Sequence, residues 1–156
     1  NVTDYYVDTG SFQADAANQL SLELAWGRGP LLLQAEHIET WVDSTGYGDP
    51  HFTGSYLGAS WMVTGESRPY IRSAGFARQA IPSRPAGAVE LVTRYSHLDL
   101  DDSAIHGGTL KKWHFGINWW ASQQWKIGLS WGDADLDKDG IKGNTKMLLS
   151  RLQWFY

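Results

Sequence analysis

Apolar residues return at every second position through most of this chain. In Leu20-Ser-Leu22-Glu-Leu24-Ala-Trp26 the large apolar side chains take the even numbers. That is the period of a strand with two different faces, not of a helix. The same rhythm places Leu57, Ala59, Trp61 and Val63 against Tyr56, Gly58, Ser60 and Thr64. It places Trp113, Phe115, Ile117 and Trp119 against Lys112, His114, Gly116 and Asn118. Trp125, Ile127, Leu129 and Trp131 likewise oppose Lys126, Gly128, Ser130 and Gly132. At the end of the chain, Leu148, Leu152, Trp154 and Tyr156 share one side with Ser150, opposite Arg151 and Gln153. Val89, Leu91 and Tyr95 oppose Glu90, Arg94 and Ser96. Over 31–44 the phase is imperfect: Leu33, Ala35 and Trp41 oppose Gln34, Glu36 and Thr40, His37 and Glu39 take the apolar phase, and Ile38 takes the polar one.

The pattern predicts seven strands, at 19–27, 31–44, 52–64, 87–101, 110–121, 125–132 and 146–156. Residues 1–18 read as a short extended piece followed by a loop. Gly27-Arg-Gly-Pro30 and Ser122-Gln-Gln124 are tight turns, and 45–51, 101–108 and 133–145 are longer polar loops. Residues 65–85 form the longest irregular stretch. Here Arg68, Arg72, Arg78 and Arg84 stand against one acid, Glu66.

Composition decides which solvent the apolar face meets. Nine Trp, seven Tyr and five Phe occur in 156 residues, yet mean hydropathy is −0.37. No apolar run is long enough for a membrane helix. A membrane barrel hides its apolar face among alternating polar residues, has short periplasmic turns and longer outer loops, and ends on aromatic girdles. The expected fold is all-β, an antiparallel transmembrane β-barrel with seven or eight strands here, and 1–156 is one barrel segment. An odd count is awkward for a closed barrel, so residues 1–8 supply an eighth strand or the chain is part of a larger wall. Starting at Asn1 without a leader fits either a removed signal peptide or missing upstream sequence. Cysteine is absent and net charge is −4, which excludes disulfides and thiol chemistry and argues against nucleic-acid binding.

The ordered set Phe52-Thr-Gly-Ser-Tyr56-Leu-Gly-Ala-Ser60, Thr64-Gly-Glu-Ser-Arg68-Pro-Tyr70 and Gly87-Ala-Val-Glu90-Leu-Val-Thr-Arg94-Tyr-Ser96-His-Leu-Asp99-Leu resembles the phosphate-selective porin O/P family. Gly107-Gly108, Gly116-Ile-Asn118-Trp119 and the aromatic terminus extend the resemblance. It follows the C-terminal part of those porins. The resemblance implies a sixteen-stranded, trimeric porin of the bacterial outer membrane that conducts phosphate, polyphosphate or other small anions. Its constriction loop and much of its basic ladder would lie upstream. It further implies contact with the lipid bilayer, lipopolysaccharide and neighbouring subunits, recognition of the last strand by the barrel-assembly machinery, and no cofactor.

Anion passage needs fixed positive charge along a wet path. On the polar phase the candidates are Arg94, Lys112, Lys126 and Arg151; in the long link they are Arg68, Arg72, Arg78 and Arg84. The wall residues either draw anions or pair with Glu23, Glu36 and Glu90. The link either enters the lumen, where its guanidinium groups would grip phosphate oxygens, or is a solvated periplasmic loop. Asp135-Leu-Asp137-Lys-Asp139-Gly140 matches half of a calcium-loop pattern, but Lys146 holds the twelfth place and no helices flank it. Its plainer reading is an acidic surface loop. No nucleophile motif, phosphate loop or catalytic acid pair is present, so no enzyme is expected. The alternative is a closed eight-stranded anchor filled by Ile38, Tyr56, Met62 and Trp120, which would pass no solute. A soluble ligand-binding barrel would instead need its tryptophans inside.

Overall fold

Strands that alternate without interruption satisfy their backbone groups by pairing sideways, and here each pairs with its sequence neighbours. The computed structural model describes residues 6–68, 70–71, 76–77 and 80–155. In chain order the strands are β1 (Ala16–Arg28), β2 (Leu31–Asp43), β3 (His51–Met62), β4 (Tyr70–Ile71), β5 (Phe76–Ala77), β6 (Ala88–Asp102), β7 (Ile105–Trp120), β8 (Trp125–Lys138) and β9 (Ile141–Trp154). Seven form one antiparallel sheet in the order β1-β2-β3-β6-β7-β8-β9, and β4 pairs only with β5. The sheet is open, with β1 and β9 as its edges.

Cross-strand register fixes which side chains share a face. Trp26 is followed across the sheet by Leu33, Ala59, Thr93, Phe115, Trp131 and Leu148. The next row is Leu24, Ala35, Leu57, Tyr95 and Trp113, then Asp133 and Lys146. These residues form the outer face, and its large apolar side chains are exposed: Leu22 is 73% accessible and Leu152 66%. Among the described residues nothing covers that face.

The apolar band climbs obliquely. It runs from Leu20 to Trp26 on β1 and from Leu148 to Trp154 on β9, yet Trp26, at the bottom of the first, lies in the row of Leu148, at the top of the second. The band therefore slips about six residues over six strand steps. One residue of about 3.3 Å per strand spacing of about 4.8 Å corresponds to a tilt of roughly 35°, which matches transmembrane barrels.

Two clusters lie at opposite ends of the inner face. At the lower end, Met62, Ala80, Ala88 and Trp120 are buried together, with Phe155 against them. At the upper end, Val42, Phe52 and Ile105 pack with Phe12, Tyr47 and Leu100. Residues 6–15 cross this upper end. Asp8 N–H donates to Gly107 O (2.9 Å), the Lys138 ammonium donates to Asp8 O (3.1 Å), and Ser44 Oγ donates to Gln13 O (2.6 Å).

Several sequence-based boundaries are corrected. The loop expected at 133–145 is instead the top of a hairpin. β8 runs to Lys138 and β9 starts at Ile141, joined by Asp139 (φ 53°) and Gly140 (φ 75°). Positive φ at both central residues is the tight hairpin geometry. Asp133, Asp135 and Asp137 keep the outer phase while Ala134 and Leu136 keep the inner one, so strand structure persists above the apolar band. The half calcium-loop motif thus lies along a strand and a two-residue turn, and no group of three or more metal-ligating side chains is formed among the described residues. The loop expected at 101–108 shrinks similarly, because β6 reaches Asp102 and β7 begins at Ile105. β1 starts three residues early, at Ala16. Tyr6–Asp8 is not a strand, and residues 1–5, like Tyr156, lie outside the described residues. The long link contains the β4–β5 hairpin. Its return to β6 needs glycine: at Gly87 (φ 85°) a Cβ would strike Trp120 O and lie 2.7 Å from Trp119 Nε1.

Candidate functional site

The inner face is where the polar phase of every strand converges, and its charges are sorted by position. On β1 and β2, Glu23 and Glu36 stand directly opposite each other. Continuing along that row come Tyr56, Ser96 and then Lys112. The bases Arg94, Lys112, Lys126 and Arg151 all lie on β6 to β9, with His114 between them. Among the described residues none of these four forms an ion pair with an acid, and Glu36 instead accepts a hydrogen bond from Ser21 Oγ (3.1 Å). Glu23 and Glu36 are therefore held apart from these bases, while Glu90 on β6 stands among them.

Small residues give the bases room. Arg94 and His114 are register partners flanked by Gly58 and Gly132. The Arg94 guanidinium lies over the Tyr56 ring, 3.6 Å from its centroid, and Nε donates to Ser96 Oγ (3.1 Å). A cation held on an aromatic face stays charged but gives up much of its freedom. Below it, Gly116, Gly128 and Ser130 floor a hollow walled by His114, Asn118, Lys126, Arg151 and Gln153. A Cβ at Gly128 would come within 2.9 Å of Asn118 Oδ1, so a side chain there would push into the hollow. Lys126 Nζ sits 4.7 Å from the Trp120 ring centroid. The hollow thus offers an ammonium, a guanidinium, amides and a hydroxyl to one small solute.

The link meets the wall just beneath. Glu90, 1% exposed, accepts hydrogen bonds from Arg68 Nη1 (3.0 Å) and Asn118 Nδ2 (2.9 Å). So Arg68 is drawn to the inner face and ion-paired there. A second knot fastens the link to itself. Glu66 accepts hydrogen bonds from the Thr64 hydroxyl and from Ser83 Oγ (2.7 Å). Thr64 Oγ1 in turn accepts from Val89 N–H (3.0 Å). Arg84 is exposed in the turn closed by Gly87 N–H to Arg84 O (3.0 Å), off the wall. Arg72 and Arg78 lie outside the described residues. The sequence pointed to the bases but not to Tyr56 as a support for Arg94, nor to the Glu66–Ser83 knot. The alternation does put Tyr56 on the polar phase, one strand from Arg94, whereas nothing local joins Glu66 to Ser83.

Burial would raise the Glu66 pKa, but the Thr64 and Ser83 hydroxyls, with backbone N–H groups, outweigh it and hold the carboxyl at about 2. A depressed carboxyl pKa stabilises the folded form above the ordinary value near 4.5 and loses that contribution as pH falls toward 2. The knot is expected to hold from neutral pH to about 4.5 and to loosen between there and 2. Hydrogen exchange at the Ser83 and Val89 amides, compared between wild type and Glu66→Gln as the pH falls, checks this: the two should converge only at the acid end of that window.

A family model for phosphate-selective porin O and P matches residues 1–156. Porin O of Pseudomonas aeruginosa is 30% identical over 141 residues, covering 83% of this chain and 32% of that protein. An uncharacterized protein of Caulobacter vibrioides is 33% identical over 91 residues, covering 55% of this chain and 18% of its own length. The chain therefore spans a third or less of the curated relatives it matches.

Proposed function

This chain belongs to the phosphate-selective porin O and P family, a family of channels rather than enzymes, and from that premise we propose that it is the C-terminal wall of a bacterial outer-membrane pore that passes phosphate or other small anions by diffusion. The observation that carries the proposal is the basic stretch of the inner face: four bases on consecutive strands β6 to β9, none ion-paired to an acid among the described residues, two of which, Lys126 and Arg151, line a hollow floored by glycine. Fixed positive charge in a low-dielectric wall concentrates anions and raises their entry rate. The bases would act as stations, with Arg94 positioned on Tyr56 above and Lys126 and Arg151 below. Arg68 would add charge where the link meets the lower mouth, which becomes the periplasmic one, and Arg72, Arg78 and Arg84 are proposed as further anion contacts of the same link.

β1 and β9 run in the same direction, so these seven strands have no antiparallel closing seam. The residues 1–156 are therefore read as one segment of a larger barrel. Sixteen strands at the tilt found here would make a ring roughly 30 Å across between backbones, wide enough for a water-filled channel. In this reading the outer apolar band meets lipid, lipopolysaccharide and the other subunits of a trimer, and the terminal strand is what the assembly machinery receives.

The test is the reversal potential of the full-length protein in planar bilayers under a salt gradient. The proposal expects anion selectivity and a conductance that saturates with phosphate. A cation-selective or non-conducting protein would rule it out. Native mass in mild detergent reports the trimer separately.

A further inference from the structure

A carboxylate is out of place beside the most basic part of an anion path, and Glu90 is placed there with care. It is 1% exposed, so its charge is not dissipated by bulk water. Both of its oxygens are engaged, Oε1 by Arg68 and Oε2 by Asn118. Asn118 also forms part of the hollow that holds Lys126 and Arg151, and Glu90, Asn118, Gly128 and Arg151 are consecutive in one cross-strand row. One fixed negative charge is thus built into a group of three cations, Arg68, Lys126 and Arg151.

Resting on the anion-pore reading above, we propose that Glu90 is a specificity-determining residue: it weakens the hold of the Lys126–Arg151 hollow on an oxyanion enough for the ion to leave. Conduction requires a site that attracts the ion and also lets it go. Without the Glu90 carboxylate, Lys126 and Arg151 on a glycine-floored hollow would trap a doubly charged oxyanion. A buried like charge one row position away subtracts from that attraction while leaving the Lys126 ammonium and the Arg151 guanidinium in the hollow. Its effect grows with the charge on the ion, so it acts on divalent phosphate more than on chloride. Glu90 does a second thing at the same atoms, because its bond to Arg68 draws the link to the wall.

The two roles separate by the sign of two substitutions. Glu90→Gln keeps the shape and the Asn118 contact while removing the charge. It should lower the phosphate concentration that half-saturates single-channel conductance by on the order of tenfold, lower the maximal conductance, and shift chloride far less. Arg68→Gln cuts the same tether but removes a positive charge, so it should raise the half-saturating concentration. Should both variants move it in the same direction, Glu90 serves only as an anchor for the link and the proposal fails. An unshifted Glu90→Gln likewise overturns it. Failure of the underlying reading looks different: the wild-type pore itself would then show no saturable phosphate conductance. Glu90→Asp, which retains the charge, should keep the wild-type half-saturation.

Discussion

Replacing Lys126 and Arg151 together by glutamate is expected to cut the anion-over-cation permeability ratio at least tenfold. Both side chains reach one hollow on the inner face, floored by Gly116, Gly128 and Ser130. The double change swings the local charge by four units, with Glu90 and the Arg68 pair left in place. Charged, water-filled clefts alter local ion concentration by about ten- to a thousand-fold, so the reversal potential under a salt gradient should move toward the cation side. The barrel should still form, because the hollow opens to the wet side of the wall and the introduced carboxylates need no burial. Unchanged cold and heated gel mobility would confirm that. A variant that folds and keeps the wild-type reversal potential would place the selecting charges elsewhere in the barrel and remove this hollow from the conduction path.

The second large effect separates the two faces by one residue. Leu129 lies in the middle of the apolar band on β8, between Ile127 and Trp131, and is 51% exposed on the outer face. Ser130, next in the chain, belongs to the hollow. Leu129→Arg should destabilise the barrel by roughly 2–4 kcal/mol, the cost of a cation near the bilayer midplane. Ser130→Arg should change stability by less than about 0.5 kcal/mol, as a solvated substitution does. Unfolding by denaturant in lipid vesicles measures both. Equal costs would mean that hydrocarbon does not lie where the band places it.

The sheet was legible in the sequence because lipid and water impose opposite demands on successive residues. Each run from Leu20–Trp26 to Trp125–Trp131 states its own sidedness without reference to its neighbours. Even the irregular 31–44 stretch is explained by the register. Ile38 shares the inner row with Gly54 and Leu98, while His37 faces out at the top of the band, where it binds Ser55 Oγ (2.7 Å) and Glu39 Oε1 (3.0 Å). The strand tops were harder to read. Above the band the outer residues become Asp133, Asp135 and Asp137, and acids plus glycine in sequence look like a loop. Only pairing across to Lys146, Asn144 and Lys142 reveals a hairpin. Asn144 Nδ2 bridges Asp133 (2.7 Å) and Asp135 (2.8 Å) across that pair.

The candidate site divides in the same way. Which bases face inward follows from the alternation, residue by residue. Their sorting away from Glu23 and Glu36 follows from strand order, which a sequence supplies only once the meander is known. The contacts that fasten the link were not legible at all. Arg68 to Glu90 and Glu66 to Ser83 join residues far apart in a stretch with no period to guide the eye. Tyr56 under Arg94 lies between these extremes: both belong to the inner phase, and only the register of β3 with β6 sets them diagonally adjacent.

Consecutive residues of one strand face different solvents, and the chain's lack of cysteine makes that directly measurable. Single cysteines placed from position 112 to 119 on β7 can be challenged in intact outer membranes with a small charged thiol reagent that does not enter lipid. Labelling at 112, 114, 116 and 118, with protection at 113, 115, 117 and 119, is the predicted result. Reaction at the odd positions with protection at the even ones, or no alternation at all, would contradict it.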